Sequence, residues 1–338
     1  MRRSTTNAPG PRVGRSTKAK RREPDPHGVT VRTFTAAPAN FDPLKASGRQ
    51  LRAYGYPPRP ADKHLLERWE DVFSHGIRFI TPTFRRMDYR RRRLPKIGGV
   101  TARAKLDTKH PTETTNIWAG AVVRAAAGDR FTWIEGTWTV PDVYPPAGAL
   151  VGQWYSASTW VGIDGLDVSM DVLQAGCDSD VIIIPAFFNQ QIIKKQIQVW
   201  WEWFPGDTYW ISNFPVSFGD TVNCVICTDP GSMTDATVYF YNLTSGIAAS
   251  FIATAPKGFQ LTGNCAEWIV ERIPVDSSPP ELARFGEVYF DECHAETANG
   301  LLVNAASGDT IEMIDSPGVI ATAVFENDTL VQVRYTGK

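Results

Sequence analysis

Gly263-Asn264-Cys265-Ala266-Glu267-Trp268-Ile269-Val270-Glu271 reads as a strand with an acid set in its middle. Trp268 and Val270 alternate with Ile269 and Glu271, the period of two expected of an extended chain with one packed face. Beside Trp268, Glu267 loses hydration, which raises a carboxyl above its reference of about 4.3 and equips it as a general acid or base. Taken alone, the plainer reading leaves Glu267 in solvent on an edge strand, where most strand carboxylates sit.

The surrounding sequence has the same texture. From about Asn116 onward, short apolar and aromatic runs alternate with Gly, Pro, Asn and Asp. Examples are Phe131-Thr132-Trp133-Ile134, Ile197-Gln198-Val199-Trp200-Trp201, Ala236-Thr237-Val238-Tyr239-Phe240 and Val331-Gln332-Val333-Arg334-Tyr335. No long helical period interrupts them, so residues 111–338 are expected to form one all-β domain, an antiparallel β-sandwich or barrel.

Residues 1–110 differ in kind. They carry 26 Lys/Arg against 9 Asp/Glu, whereas residues 111–338 carry 9 against 27, and the two halves almost cancel over the 338 residues. That split suggests a basic leader, residues 1–110, that partners an acidic domain. Nucleic-acid binding by the leader, a docked pro-segment and a solvated tail all remain open on composition. Residues 1–60 are rich in Pro, Arg, Lys, Ser and Gly and are expected to be disordered or weakly ordered. Leu65, Leu66, Trp69, Val72 and Phe73 then fall at helical spacing, so a short amphipathic helix is predicted from Ala61-Asp62 to Gly76. Arg90-Arg91-Arg92-Arg93 reads as an exposed loop and a candidate processing point. No run of eighteen apolar residues predicts a membrane span, and Met1-Arg2-Arg3-Ser4 opens no apolar signal-peptide core.

Elimination narrows the chemistry. The five cysteines, Cys177, Cys224, Cys227, Cys265 and Cys293, all lie in the acidic part. Cys224-Val225-Ile226-Cys227 has metal-ligand spacing, yet a strand puts its two thiols on opposite faces and no second pair accompanies it. No metal and no cofactor is expected. His294 is the one histidine inside the β domain, with no glycine-flanked serine to serve, and neither HExxH nor Asp-Thr-Gly occurs. Carboxylate and carboxamide chemistry remains.

Five stretches occur in one order: Asn116-Ile117-Trp118-Ala119-Gly120, Trp160-Val161-Gly162-Ile163-Asp164-Gly165, Leu173-Gln174-Ala175-Gly176, Trp200-Trp201-Glu202-Trp203-Phe204-Pro205, and Ala266-Glu267-Trp268-Ile269-Val270-Glu271. Together they resemble the glutamic peptidases, the eqolisin family, over about residues 115–338. The resemblance implies a lectin-like sandwich of two bent seven-stranded antiparallel sheets. It implies an acid-acting, pepstatin-insensitive endopeptidase whose catalytic pair matches Gln174 and Glu267. Asp164, Asp178 and Glu202 would support that pair, and Trp118, Trp160 and Trp200 would line the cleft, although core packing explains tryptophans equally well. Polypeptide substrates, secretion, a monomer and a leader that inhibits or assists folding follow from the same resemblance, with no nucleic-acid or membrane partner. The stretch from Asp178 to Gln198 departs from it, being apolar and basic where a loop is expected. Two other readings stand beside this one: a lectin-like sugar-binding module, and a glycosidase using Glu202 and Glu267. Neither gives Gln174 a required role.

Overall fold

Strand follows strand because the chain alternates in polarity and turns at Gly, Asp and Asn every few residues. The computed structural model describes residues 29–87, 97–100, 111–186, 190–229, 231–273, 281–315 and 318–337. Among them the elements run in the order β1 (Thr30–Thr33), α1 (Gly48–Ala53), α2 (Lys63–Ser74), β2 (Arg78–Ile80), β3 (Phe84–Arg86), β4 (Ile97–Val100), β5 (Thr112–Thr115), β6 (Trp118–Arg124), β7 (Phe131–Thr139) and β8 (Trp154–Asp164). There follow β9 (Val172–Pro185), β10 (Gln191–Phe204), β11 (Thr208–Ile211), β12 (Thr221–Thr228), β13 (Asp235–Asn242), β14 (Ile247–Thr254) and β15 (Cys265–Glu271). The last are β16 (Glu287–Thr297), β17 (Leu302–Asn304), β18 (Asp309–Asp315), β19 (Gly318–Phe325) and β20 (Val331–Tyr335).

The fold is the all-β sandwich expected, with its strands joined differently. One run of ladders goes β4-β5-β18-β6-β15-β8-β9-β10-β11-β3. A second goes β19-β20-β16-β7-β12-β13-β14, with β1 and β2 on the free side of β14. The β18–β19 hairpin joins the two, so a single hydrogen-bonded network replaces two separate sheets of seven. Nearly all pairings are antiparallel; β18–β5 and β14–β2 are parallel.

The two runs face each other across one core. Val161, Leu173, Ala175, Trp201, Trp203 and Trp268 of the first meet Ile134, Trp138, Cys224, Val238, Phe240 and Phe251 of the second. Trp268 spans the layers, its indole N–H donating to the Glu135 carbonyl at 2.7 Å. The side chains of β15 that alternate with this core, Cys265, Glu267, Ile269 and Glu271, therefore project from the opposite face of the first run. β15 lies between β6 and β8, so Glu267 is on an interior strand and buried; the edge-strand reading is overturned. Residues 178–185 and 191–198 likewise lie in strands and not in a loop. β9 and β10 pair without a register break from Val172–Phe204 to Pro185–Gln191, a long hairpin in which Lys194 and Lys195 are ladder residues.

The N-terminal part is more ordered than its composition suggests. The predicted helix is present as α2, with the Asp62 carboxylate accepting from the Leu65 N–H as its cap. A second helix, α1, begins at a capping box of Ser47 and Gln50. β1 and β2 hydrogen-bond to β14, and β3 to β11, so backbone groups of this region complete edges of the sheets. Leu51, Tyr56, Trp69, Phe73 and Ile77 bury themselves on Val225, Tyr239, Tyr241 and Ala248, the outward side chains of the second run. Those outward residues are apolar because they are covered, and the covering supplies the order that local composition lacks. The basic stretches at 18–22 and 90–93 lie outside the described residues.

Candidate active site

Ladder register alone places the site. Opposite residues in antiparallel strands point to the same side. Across the first run, Val122 on β6 faces Glu267 on β15, which faces Gly162 on β8. Gly162 faces Gln174 on β9, Gln174 faces Glu202 on β10, and Glu202 faces Thr208 on β11. Residues far apart in sequence thus form one row on the side of the run turned away from the core. Gly162 separates its two central polar members, Glu267 and Gln174. Glu267 and Gln174 stand on the two flanking strands, about 10 Å apart at two strand spacings, with no side chain between them.

Each member of the row is held. The Gln174 amide nitrogen donates to Glu202 Oε2 at 2.9 Å, and the Thr208 hydroxyl donates to Glu202 Oε1 at 2.6 Å. Glu202 therefore fixes which end of the Gln174 amide faces it. Among the described residues the Gln174 Oε1 atom has no hydrogen-bond partner, and neither has Glu267 Oε2. Both atoms are buried, on strands either side of a glycine, and each keeps a polar site to offer a water or a ligand. On its other oxygen, Oε1, Glu267 accepts from the Cys265 thiol at 2.9 Å.

Burial pushes the Glu267 carboxyl well above the usual carboxylate range. The Cys265 hydrogen bond works against this, Asp164 and Asp167 add to it by repulsion, and the Arg124 charge opposes it. Arg124, at the end of β6, is itself ringed by Asp167 at 2.7 Å, Asp309 at 2.8 Å and Glu113 at 2.9 Å.

The remaining sequence-predicted residues surround the row without entering it. Asp164 ends β8 in the left-handed region, φ 71°. Its carboxylate accepts from the N–H groups of Thr262, Gly263 and Asn264 and from the Thr262 hydroxyl, at 2.5–3.0 Å. It clamps the loop that feeds β15 and so sets where Glu267 begins. Asp178 lies two rows away, level with Ser158 and Gln198, and accepts from the Ser158 hydroxyl at 2.6 Å. The row between holds Ile269, Trp160, Gly176 and Trp200. Trp118, Trp160 and Trp200 all pack in one buried cluster on this face with Val122, Cys265 and Ile269. Trp118 and Trp160 meet edge to face at 4.8 Å, and the Trp160 indole donates to Glu271 at 2.9 Å. The three tryptophans are therefore packed beside the row and buried along with Gln174 and Glu267.

Sequence reasoning passed over Gly162, Cys265, Thr208 and Arg124. Gly162 and Cys265 were within reach, since each sits inside a quoted stretch; Cys265 is two residues from Glu267 and hence on its face. Thr208 and Arg124 required the register.

Comparison with known proteins gives the family. Residues 116–335 match the Peptidase A4 family. Aspergillopepsin-2 of Aspergillus niger is 30% identical over 245 residues, which cover 68% of this chain and 81% of that protein. Scytalidopepsin B of Scytalidium lignicola is 26% identical over 167 residues, 49% of this chain and 55% of that protein. The crystal structure of scytalido-glutamic peptidase with a transition state analog inhibitor shares the fold with a TM-score of 0.53, at 22% identity over 65% of this chain and 98% of the other.

Proposed function

The chain belongs to the Peptidase A4 family and is a glutamic peptidase, and we propose that Gln174 and Glu267 carry its reaction. The observation that supports this reading is the pair of partnerless atoms, Gln174 Oε1 and Glu267 Oε2, facing across Gly162. A water molecule held between them is within reach of a carboxylate that takes its proton and a carboxamide that orients it. Glu267 accepts that proton as the water attacks the scissile carbonyl and returns it to the leaving amine, a role worth about 10²–10⁴-fold. Gln174 stabilises the tetrahedral oxyanion through the amide N–H that Glu202 does not hold, and loss of such a donor costs about 10²–10³ in turnover. Glu202 and Thr208 hold the Gln174 amide, and Asp164 holds the start of β15.

Acid is the natural range for this pair. A histidine or hydroxyl nucleophile is silenced by protons, whereas a carboxamide keeps its state and a carboxyl cycles near its own pKa. Desolvation is the largest cause holding Glu267 neutral here. Admission of water and substrate removes that cause and leaves Arg124 and the Cys265 hydrogen bond, which favour the carboxylate. Substrates are polypeptides cut internally, pepstatin is without effect, and the enzyme works outside the cell as a monomer. Residues 1–110 act as a pro-segment. The row is buried, and β3 is hydrogen-bonded to β11, the strand whose Thr208 holds Glu202, so the N-terminal part is built onto the margin of the site.

The test is cleavage of a denatured protein at pH 2–5 with pepstatin present, before and after removal of the leader. Activity that survives pepstatin and is lost by at least about 10²-fold in Glu267→Gln and in Gln174→Ala supports the pair. Full activity in either variant refutes it.

A further inference from the structure

The mechanism above leaves one buried nucleophile in contact with its central group. Cys265 precedes Glu267 by two residues on β15, shares its face, and is fully buried beside it. Its Sγ lies 2.9 Å from Glu267 Oε1, and among the described residues it is the sole hydrogen-bond donor to that carboxyl.

We infer that Cys265 is a positioning residue for Glu267, its thiol tying down Oε1 so that Oε2 is turned to the gap over Gly162 and the carboxylate is favoured when it forms. This rests on the reading of Glu267 as the acid–base group. The other uses of a cysteine are closed by the structure. None of the five cysteines is bonded to another. Burial first, and the neighbouring Glu267 and Asp164 charges next, push the Cys265 thiol well up, so it stays S–H and donates rather than attacks. The groups that face Glu267 from elsewhere are Arg124 on β6, Asp164 at the end of β8, Asp167 in the loop that follows, and Gln174 and Glu202 along the row. Arg124 is the one cation there among the described residues, and its nitrogens are engaged by Asp167, Asp309 and Glu113. Asp164 is occupied by the backbone of 262–264. The thiol thus contributes a directional bond that no neighbour duplicates.

A hydrogen bond to the charged form lowers a carboxyl's pKa, so deleting the donor raises it. The experiment uses the full chain after activation, with a fluorogenic peptide, and compares wild type with Cys265→Ala and Cys265→Ser. In Cys265→Ala the acid limb of kcat/KM moves up by about half to one pH unit and kcat falls about tenfold, while KM changes less than about twofold. In Cys265→Ser the hydroxyl is a stronger donor than a thiol, so the limb stays or moves down and kcat remains within about threefold. A limb that does not move in Cys265→Ala overturns the inference, as does a Cys265→Ser limb that moves up; the second outcome decides the matter even where the alanine variant does not fold. A ¹³C-carboxyl titration of Glu267 in the same proteins reads the shift without catalysis. If Glu267→Gln retains activity, the peptidase mechanism fails, and the titration still decides what Cys265 does.

Discussion

Asp171→Asn should make this protein more stable at neutral pH and leave its stability in acid unchanged. Asp171 lies just before β9 and is 2% exposed; its carboxylate accepts from the Trp203 indole N–H at 3.0 Å. Burial raises its pKa to about 6, the Trp203 bond opposes that rise, and the Asp164 charge adds to it. The unfolded chain ionises Asp171 near its model value of 3.8. The folded state therefore binds the proton more tightly, and stability is full below pH 4 and lost as pH climbs through about 6. Some two pKa units correspond to about 3 kcal/mol, and allowance for solvent screening brings this to about 2 kcal/mol. Asparagine can accept the same indole bond and cannot ionise. Urea unfolding at pH 4 and pH 7.5, in a Glu267→Gln background that prevents self-digestion, should show Asp171→Asn stabilised by about 2 kcal/mol at the higher pH and by under about 0.5 at the lower. Equal changes at both values would refute the raised pKa. A loss at pH 7.5 would show that the ionised carboxylate contributes to the fold.

Two further predictions concern the gap and the N-terminal helix. A Cβ on Gly162 would lie 2.9 Å from the Trp160 ring, 3.2 Å from the Leu173 carbonyl and 3.3 Å from Gln174 Cβ. Gly162→Ala should therefore cost about 1–3 kcal/mol of stability, measured by urea unfolding, and at least about tenfold in kcat by displacing Gln174; unimpaired turnover would remove Gly162 from the site. On the outer face, Arg68 of α2 pairs with Glu135 at 2.8 Å and with Glu292. Arg68→Ala should lower stability by about 1–3 kcal/mol at pH 7.5, with a smaller loss at pH 4, because burial raises the Glu292 pKa and protonation removes one of the two partners. An equal loss at both pH values would assign the effect to packing.

Strand positions were legible because polarity alternates along them, and the five ordered stretches pointed to Gln174 and Glu267. What the sequence could not supply was register. Glu267 looks like an edge residue until β6 and β8 are known to flank it. Asp178, four residues from Gln174, shares its face, but a strand advances about 3.3 Å per residue, so it lies about 13 Å along the ladder and beyond contact. Asp164 was expected to support the pair, and what it holds is the backbone of 262–264 that leads into β15; nothing local in the sequence reveals the partner of that left-handed turn. Apart from α2, whose apolar spacing was readable, order in residues 29–87 was illegible for the same reason. Their apolar side chains are sparse, and the surface that receives them comes from β12, β13 and β14.

That surface also bears on how acid acts. The opposite charges of the two halves suggest that protonation of the carboxylates frees the leader. Charge links Arg68 to Glu135 and Glu292, Arg86 to Asp207 and Arg32 to Asp235, but it is not the whole of the attachment among the described residues. Leu51, Tyr56, Trp69, Phe73 and Ile77 bury apolar area whose gross worth is on the order of 10 kcal/mol, at about 2 kcal/mol for each large side chain. The backbone ladders of β1, β2 and β3 add hydrogen bonds that do not titrate. Against this, acid weakens the contact of Arg68 with Glu292 and brings charge onto His294, whose pKa burial holds low and whose ring lies 6.4 Å from that of His64 on α2. Those changes amount to about 1–3 kcal/mol at one corner of the helix. Protons can therefore loosen α2 without detaching it. After cleavage of the chain, residues 29–87 are therefore expected to stay with the domain at pH 4, which size-exclusion chromatography reads directly.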